Sequence, residues 1–158
     1  MQTHYFKEQI EPLLDGNQIE FVGEVSDSQK QEFLGNAMAV LFPIDWPEPF
    51  GLVMIEAMAC GTPVIVSRRG SVPEIIEHGV TGFIVDNEAE AIDAIKRVLT
   101  LDRRAVRAAF ERRFTARRMA QSYRKSFQKI IAGRDHRTRR RPEPQTARPV
   151  TANTRRCS

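Results

Sequence analysis

Short apolar runs alternate along this chain with longer segments in which apolar positions recur at helical spacing. The spacing predicts a helix over 5–14 that ends near Asp15, Gly16 and Asn17, and a strand over 19–22 closed by Gly23. Ser26 then fits a helix N-cap, with Phe33 and Leu34 on the inner side of the helix that follows. A second strand is expected over 38–42, a helix over 50–60, a third strand over 63–67 and a short helix over 72–77 stopped at His78 and Gly79. The last strand falls at 83–85. Two or three helices from Glu88 to about Ile131 complete the pattern, with Asp102 and Thr115 as caps. Continuously apolar strands joined by helices indicate an α/β body whose parallel sheet is covered on both faces. In such a sheet the ligand crevice lies beyond the carboxyl ends of the strands, where 23–26, 43–48, 67–70 and 86–87 emerge.

Composition narrows the function classes. At 158 residues and 41% apolar content the chain suits one soluble domain with a real core. It contains no apolar run of about 18 residues and no signal-peptide core, so a cytoplasmic location is expected, at most peripheral to the inner face of a membrane. Cys60 and Cys157 have neither metal nor disulfide spacing, and His4, His78 and His136 are scattered, so neither a metal site nor a cofactor is expected. The net charge of +4 hides an asymmetry: residues 1–100 carry 6 basic and 16 acidic side chains, residues 101–158 carry 18 and 4. Within the basic part, Val106, Phe110, Phe114, Met119, Tyr123, Phe127 and Ile130 recur at helical spacing and are expected in the core. Residues 132–158, with eight Arg against two acids, are expected to be a disordered tail beyond a body ending at 131. No aromatic residue interleaves the tail's arginines, so nucleic acid is not an expected partner. Weak contact of the basic faces with an anionic membrane surface stands as the alternative to plain solvation.

The stretch EPFGLVMIE, from Glu48 to Glu56, is chemically the most telling, and it runs directly into AMACGTPVI, from Ala57 to Ile65. Phe50 and Gly51 fall where a loop turns into a helix. Backbone N–H groups unpaired there, together with the helix dipole, suit an anion such as phosphate. Glu56 stands about a turn and a half inside that helix among Val53, Met54, Ile55, Ala57, Met58 and Ala59. A carboxylate in such company needs a cation, backbone donors, water or a ligand's hydroxyl groups.

The pattern E-P-F-G-L-x-x-x-E-A-M-A-x-G-T-P-V-I resembles the E-x7-E signature of the family 4 retaining glycosyltransferases, two-domain enzymes of the GT-B fold that use nucleotide sugars. IEFVG (19–23) and AVLFP (39–43) precede it, and GSVPE (70–74) and GVTGF (79–83) follow, all in the family's usual order. Together the blocks extend over roughly residues 5–131. The resemblance implies a Rossmann-like parallel sheet with flanking helices, a truncated C-terminal domain of a GT-B fold, and a nucleotide-diphosphate sugar donor such as a UDP- or GDP-hexose.

Carried over residue by residue, the resemblance makes Glu56 the ligand of the ribose hydroxyls. A vicinal diol offers two donors to one carboxylate, so a buried Glu is satisfied without a cation; pairing with an internal Arg or Lys is the other reading. Glu48 matches the first acid, beside the donor sugar, where it would stabilise developing positive charge; alternatively it is a helix N-terminal acid favoured by the dipole. Phe50, Gly51 and Leu52 would meet the sugar and phosphates through backbone N–H groups, and Val22 and Gly23 would meet the base. Asp45 and Trp46 are candidates for the pocket wall, Arg68 and Arg69 for phosphate contact or plain solvation, and Glu74 for bracing its short helix.

The chain also departs from the family pattern. It lacks the N-terminal Rossmann-like domain and the Arg and Gly-Lys loop that grips the diphosphate, a loss of about 1.5–3 kcal/mol for each charge-assisted contact. In a sheet of order 3-2-1-4-5-6 the chain begins just before the third strand, so 19–22 must pair directly with 38–42 or leave an apolar edge open. A fragment that binds the donor weakly and does not turn over alone is expected. The competing class is a non-catalytic interaction module or remnant that completes its sheet with another chain.

Overall fold

The computed structural model describes residues 2–138. Its elements, in chain order, are α1 Gln2–Tyr5, a π-helical turn Phe6–Ile10, a 3-10 turn Glu11–Leu13, α2 Asp27–Asn36, β1 Val40–Phe42, α3 Leu52–Ala59, β2 Val64–Ser67, α4 Val72–Ile75, β3 Gly82–Val85, α5 Glu88–Arg97, a 3-10 turn Val98–Thr100, α6 Arg103–Arg113 and α7 Ala116–Thr138. Two compact units divide at Thr115 and Ala116.

In the first unit the sheet has three parallel strands in the order β1-β2-β3. Val40 pairs with Val64 and Phe42 with Val66 on one side, and Val64 pairs with Gly82 and Ser67 with Val85 on the other. Side chains alternate across the strands as period two requires. Val64, Val66 and Ile84 enter a core with Met54, Ile55, Met58, Val72, Ile75, Val106 and Ala109, supplied by α3, α4 and α6. Ile65, Phe83 and Val85 enter a second core with Ala94 and Val98, supplied by α5 and its 3-10 extension. Full burial of a Val or Met side chain contributes about 1.5–3 kcal/mol, and both faces of β2 are closed in this way.

The expected α/β parallel architecture is present, and one expected strand is not. Residues 19–22 form no strand: Ile19, Phe21 and Val22 are exposed. Phe21 lies against a ring of the N-terminal helical segment, Phe6, at 4.9 Å between centroids. A strand is defined by the ladder it joins, and among the described residues β1 pairs with β2 alone, which leaves its other edge open there. The helix expected over 5–14 is present as three short pieces of different winding, π-helical and 3-10 turns following α1.

Helix ends are fixed by side chains. Gln29 Oε1 accepts from Ser26 N at 3.3 Å and Ser26 Oγ at 2.7 Å, securing the start of α2. Asn87 Oδ1 accepts from Glu90 N at the start of α5, and Asp102 Oδ1 from Arg104 N at the start of α6. Carbonyls at three helix ends are taken by arginines of α6. Arg103 donates to Gly35 O, Ala37 O and Thr62 Oγ1 at 2.6–2.8 Å. Arg107 donates to Ala59 O, and Arg113 to Glu74 O, Ile75 O and the Glu77 carboxylate.

The second unit is described through α7, which continues to Thr138, past residue 131 where the sequence pattern ends the body. α7 thus includes 132–138, the first residues of the segment expected as a tail, and 139–158 lie outside the described residues. Met119, Tyr123, Phe127 and Ile130 are exposed rather than in the core. The spacing that correctly marks Val106 as core also marks these four, because periodicity identifies an apolar stripe and not what covers it.

Replacing Arg103 by Met leaves the Gly35 and Ala37 carbonyls and the Thr62 hydroxyl without their donor. The expected cost is about 2–3 kcal/mol, read from the urea midpoint, with Arg103→Lys recovering only part because an ammonium cannot span the same acceptors.

Candidate functional site

The motif places its first half in a loop and its second in α3. Pro47 and Pro49 stiffen the segment around Glu48, and Gly51 serves as N-cap of α3 with φ 75° and ψ 57°, a left-handed conformation that glycine adopts without strain. Glu48 folds back over the helix start. Its Oε1 accepts from Gly51 N at 2.9 Å and from Phe50 N at 3.4 Å, and its Oε2 accepts from Trp46 Nε1 at 3.1 Å. These donors, Gly51 N–H first, then the indole, then Phe50 N–H, hold the Glu48 carboxyl below the ordinary glutamate range. The anion site read from the sequence at this helix start is thus occupied by the chain's own carboxylate.

A second loop fixes the motif backbone. Ser71 N donates to Glu48 O at 2.9 Å. Gly70 lies against the peptide of Glu48 so closely that a Cβ there would overlap Glu48 O and N, and its φ of 48° independently favours glycine. The carboxyl end of β2 and the motif loop are therefore clasped. Arg68 and Arg69, on that same turn, are paired: Arg68 Nε with Asp86 at 2.9 Å and Arg69 with Asp45 at 3.3 Å. Both pairs are exposed and contribute little to stability.

Glu56 has a different environment. Its helix neighbours Met54, Ile55, Ala57 and Met58 are buried, while its own side chain is 37% exposed. Lys30 Nζ, on α2, donates to Glu56 Oε1 at 2.9 Å and also meets Asp27 Oδ1 at 3.1 Å. Glu56 first, and Asp27 second, push the Lys30 ammonium above the ordinary lysine range. Glu56 Oε2 accepts no hydrogen bond among the described residues. The pair forms part of the wall of a groove of about 700 Å³ that also includes Gln31, Leu34, Cys60 and Arg107.

The sequence-derived site residues are thus partly assembled. Glu48, Phe50, Gly51 and Leu52 converge at the start of α3, with the Phe50 and Leu52 side chains exposed, and Glu56 lies further along the same helix. Val22 and Gly23 lie in the irregular segment before α2, Gly23 with φ 70°. Their expected setting, the carboxyl end of a strand, is absent because 19–22 is not a strand. Lys30 was not among the candidates. Its one sequence signal is a lone cation in the first turn after the Ser26 cap, and pairing across two helices leaves no trace in local spacing.

A domain with this sheet and motif is matched over residues 2–117 by the model of the family "Glycosyl transferases group 1". The chain belongs to that family. The D-inositol 3-phosphate glycosyltransferase of Mycobacterium leprae is 36% identical over 107 residues, 60% of this chain and 25% of that protein. The sulfoquinovosyl transferase SQD2 of Arabidopsis thaliana is 31% identical over 99 residues, 61% of this chain and 19% of that one. Among solved structures, sucrose-phosphate synthase from Thermosynechococcus elongatus superposes with a TM-score of 0.67 at 28% identity, over 84% of this chain and 35% of that chain. HepE of Anabaena, solved in complex with UDP, gives 0.67 at 25% identity, over 80% and 36%. The chain thus spans about a quarter or less of these two curated relatives and about a third of the two GT-B structures.

The depressed Glu48 carboxyl has a testable sign. A carboxylate whose folded pKa lies below its unfolded value contributes stability that is present above the unfolded value and lost as pH falls through the folded one. The Tm difference between the native protein and Glu48→Gln should be largest above pH about 5 and narrow on acidification, as followed by circular dichroism melts.

Proposed function

We propose that this chain is the donor-binding part of a retaining hexosyltransferase that uses a nucleotide-diphosphate sugar, such as a UDP- or GDP-hexose, with no metal or other cofactor. The observation that carries the reading is Glu56: a carboxylate on an otherwise buried helix face, 37% exposed, on the wall of a groove, with one oxygen held by Lys30 and the other without a partner among the described residues. Such an oxygen suits the two donors of a ribose diol. The spacing from Glu48, the family membership, and the UDP held by HepE support the same ligand class.

In this reading Phe50, Gly51 and Leu52 offer backbone N–H groups to the phosphates and the sugar. An arriving diphosphate competes with Glu48 for the Gly51 and Phe50 donors. Displaced from them, Glu48 lies beside the sugar, where its negative charge stabilises the positive charge that develops at the anomeric carbon; the leaving phosphate helps take the acceptor's proton. Val22 and Gly23 meet the base once a neighbouring strand orders 19–22. The first strands of this sheet, on the same or another chain, supply that neighbour and the basic residues for the diphosphate, and an N-terminal domain supplies the acceptor surface, in the cytoplasm.

The open edge of β1 favours a second reading, a non-catalytic module that completes its sheet with another chain. Calorimetric titration with UDP-glucose and GDP-mannose separates the two. The donor-site reading expects saturable binding of one of them, weakened at least about tenfold by Glu56→Gln through loss of a charge-assisted contact. Absence of binding to the native protein, or binding indifferent to Glu56→Gln, would favour the second. Turnover by the 158-residue chain alone would contradict the need for a completing domain.

A further inference from the structure

We infer that Lys30 is a positioning residue of the donor site: by holding Glu56 Oε1 it leaves Oε2 for a ribose diol, and so sets the preference for a ribonucleotide over its 2′-deoxy counterpart. The inference rests on the assignment of Glu56 proposed above. A glutamate has three side-chain torsions and, at 37% exposure, room to use them. Lys30 restricts that freedom from a neighbouring helix. Its backbone is fixed, since Lys30 N donates to Ser26 O at 2.9 Å in a turn already secured by the Ser26–Gln29 contacts. Its ammonium lies between Glu56 at 2.9 Å and Asp27 at 3.1 Å; the Lys30 side chain is 33% exposed and that of Asp27 98%.

The charge of this cluster defines what it recognises. Two carboxylates share one ammonium, leaving a net negative spot that repels phosphate and accepts hydrogen bonds from neutral donors. Arg107, the other cation of the groove wall, is engaged by Glu111 and Ala59 O. A cis-diol is the neutral double donor that a nucleotide sugar carries, and its 2′-hydroxyl is what a deoxynucleotide lacks.

The test is binding of UDP against 2′-deoxy-UDP, and of GDP against 2′-deoxy-GDP, to the full chain. The native protein is expected to prefer one ribonucleotide by about tenfold or more. Lys30→Met should reduce that ratio to about threefold or less, and Lys30→Arg should restore most of it, because the cation and its hydrogen bond return. If Lys30 merely braces α2 against α3, Lys30→Met weakens all four nucleotides together and the ratio stays. If Lys30 instead blocks Glu56, the ratio rises. Either result overturns the inference and leaves the Glu56 assignment standing. No ribose preference in the native protein, with either base, overturns both. Should Lys30→Met lose its helical circular dichroism, Lys30→Arg decides alone: a retained ratio supports the positioning role and a lost one overturns it.

Discussion

Three helices of this fold end against one basic helix, and the body depends on that convergence. A three-stranded parallel sheet covers little area, and the carbonyls that finish α2, α3 and α4 have no partner within their own helices. Arg103, Arg107 and Arg113 supply them from α6, while Val106 and Ala109 on the same helix are fully buried against α3. Positive charge at a helix C-terminus is also favoured by the dipole. Three of the basic side chains that the sequence concentrates after residue 100 are therefore spent on helix ends.

The parts of the fold that were legible in the sequence are those in which local pattern and tertiary setting agree. Val64, Ile65 and Val66 read as a buried strand because both faces of β2 are in fact covered. Ser26 and Asp102 read as helix caps because capping is decided within four residues. The segment 19–22 shows the converse: its β-rich composition is real, but a strand needs a ladder, and among the described residues it pairs with none. Met119, Tyr123 and Phe127 carry a core-like stripe on α7 that remains exposed, since spacing records a face and not its partner.

The candidate site divides along the same line. The position of Glu48 at a helix start was legible, down to the dipole argument, because the loop and its Pro residues are contiguous. That Glu48 itself fills the donors of Phe50 and Gly51 was not, since the alternatives of ligand contact and self-capping have the same sequence. Glu56 likewise pairs with Lys30, 26 residues away, through the packing of α2 on α3. The two readings weighed for Glu56, a cation or a diol, need not exclude one another: one oxygen takes the first and leaves the second available.

The contact between Trp46 and Glu48 has a practical side. The chain holds one tryptophan, half-exposed, and its indole N–H donates to Glu48 Oε2. Excited indole is sensitive to a carboxylate on its ring nitrogen and to the water that replaces it. Tryptophan fluorescence, excited apart from Tyr5 and Tyr123, therefore reports on a single loop of this protein, so that proton uptake, anion entry or motion of Glu48 is visible without a label.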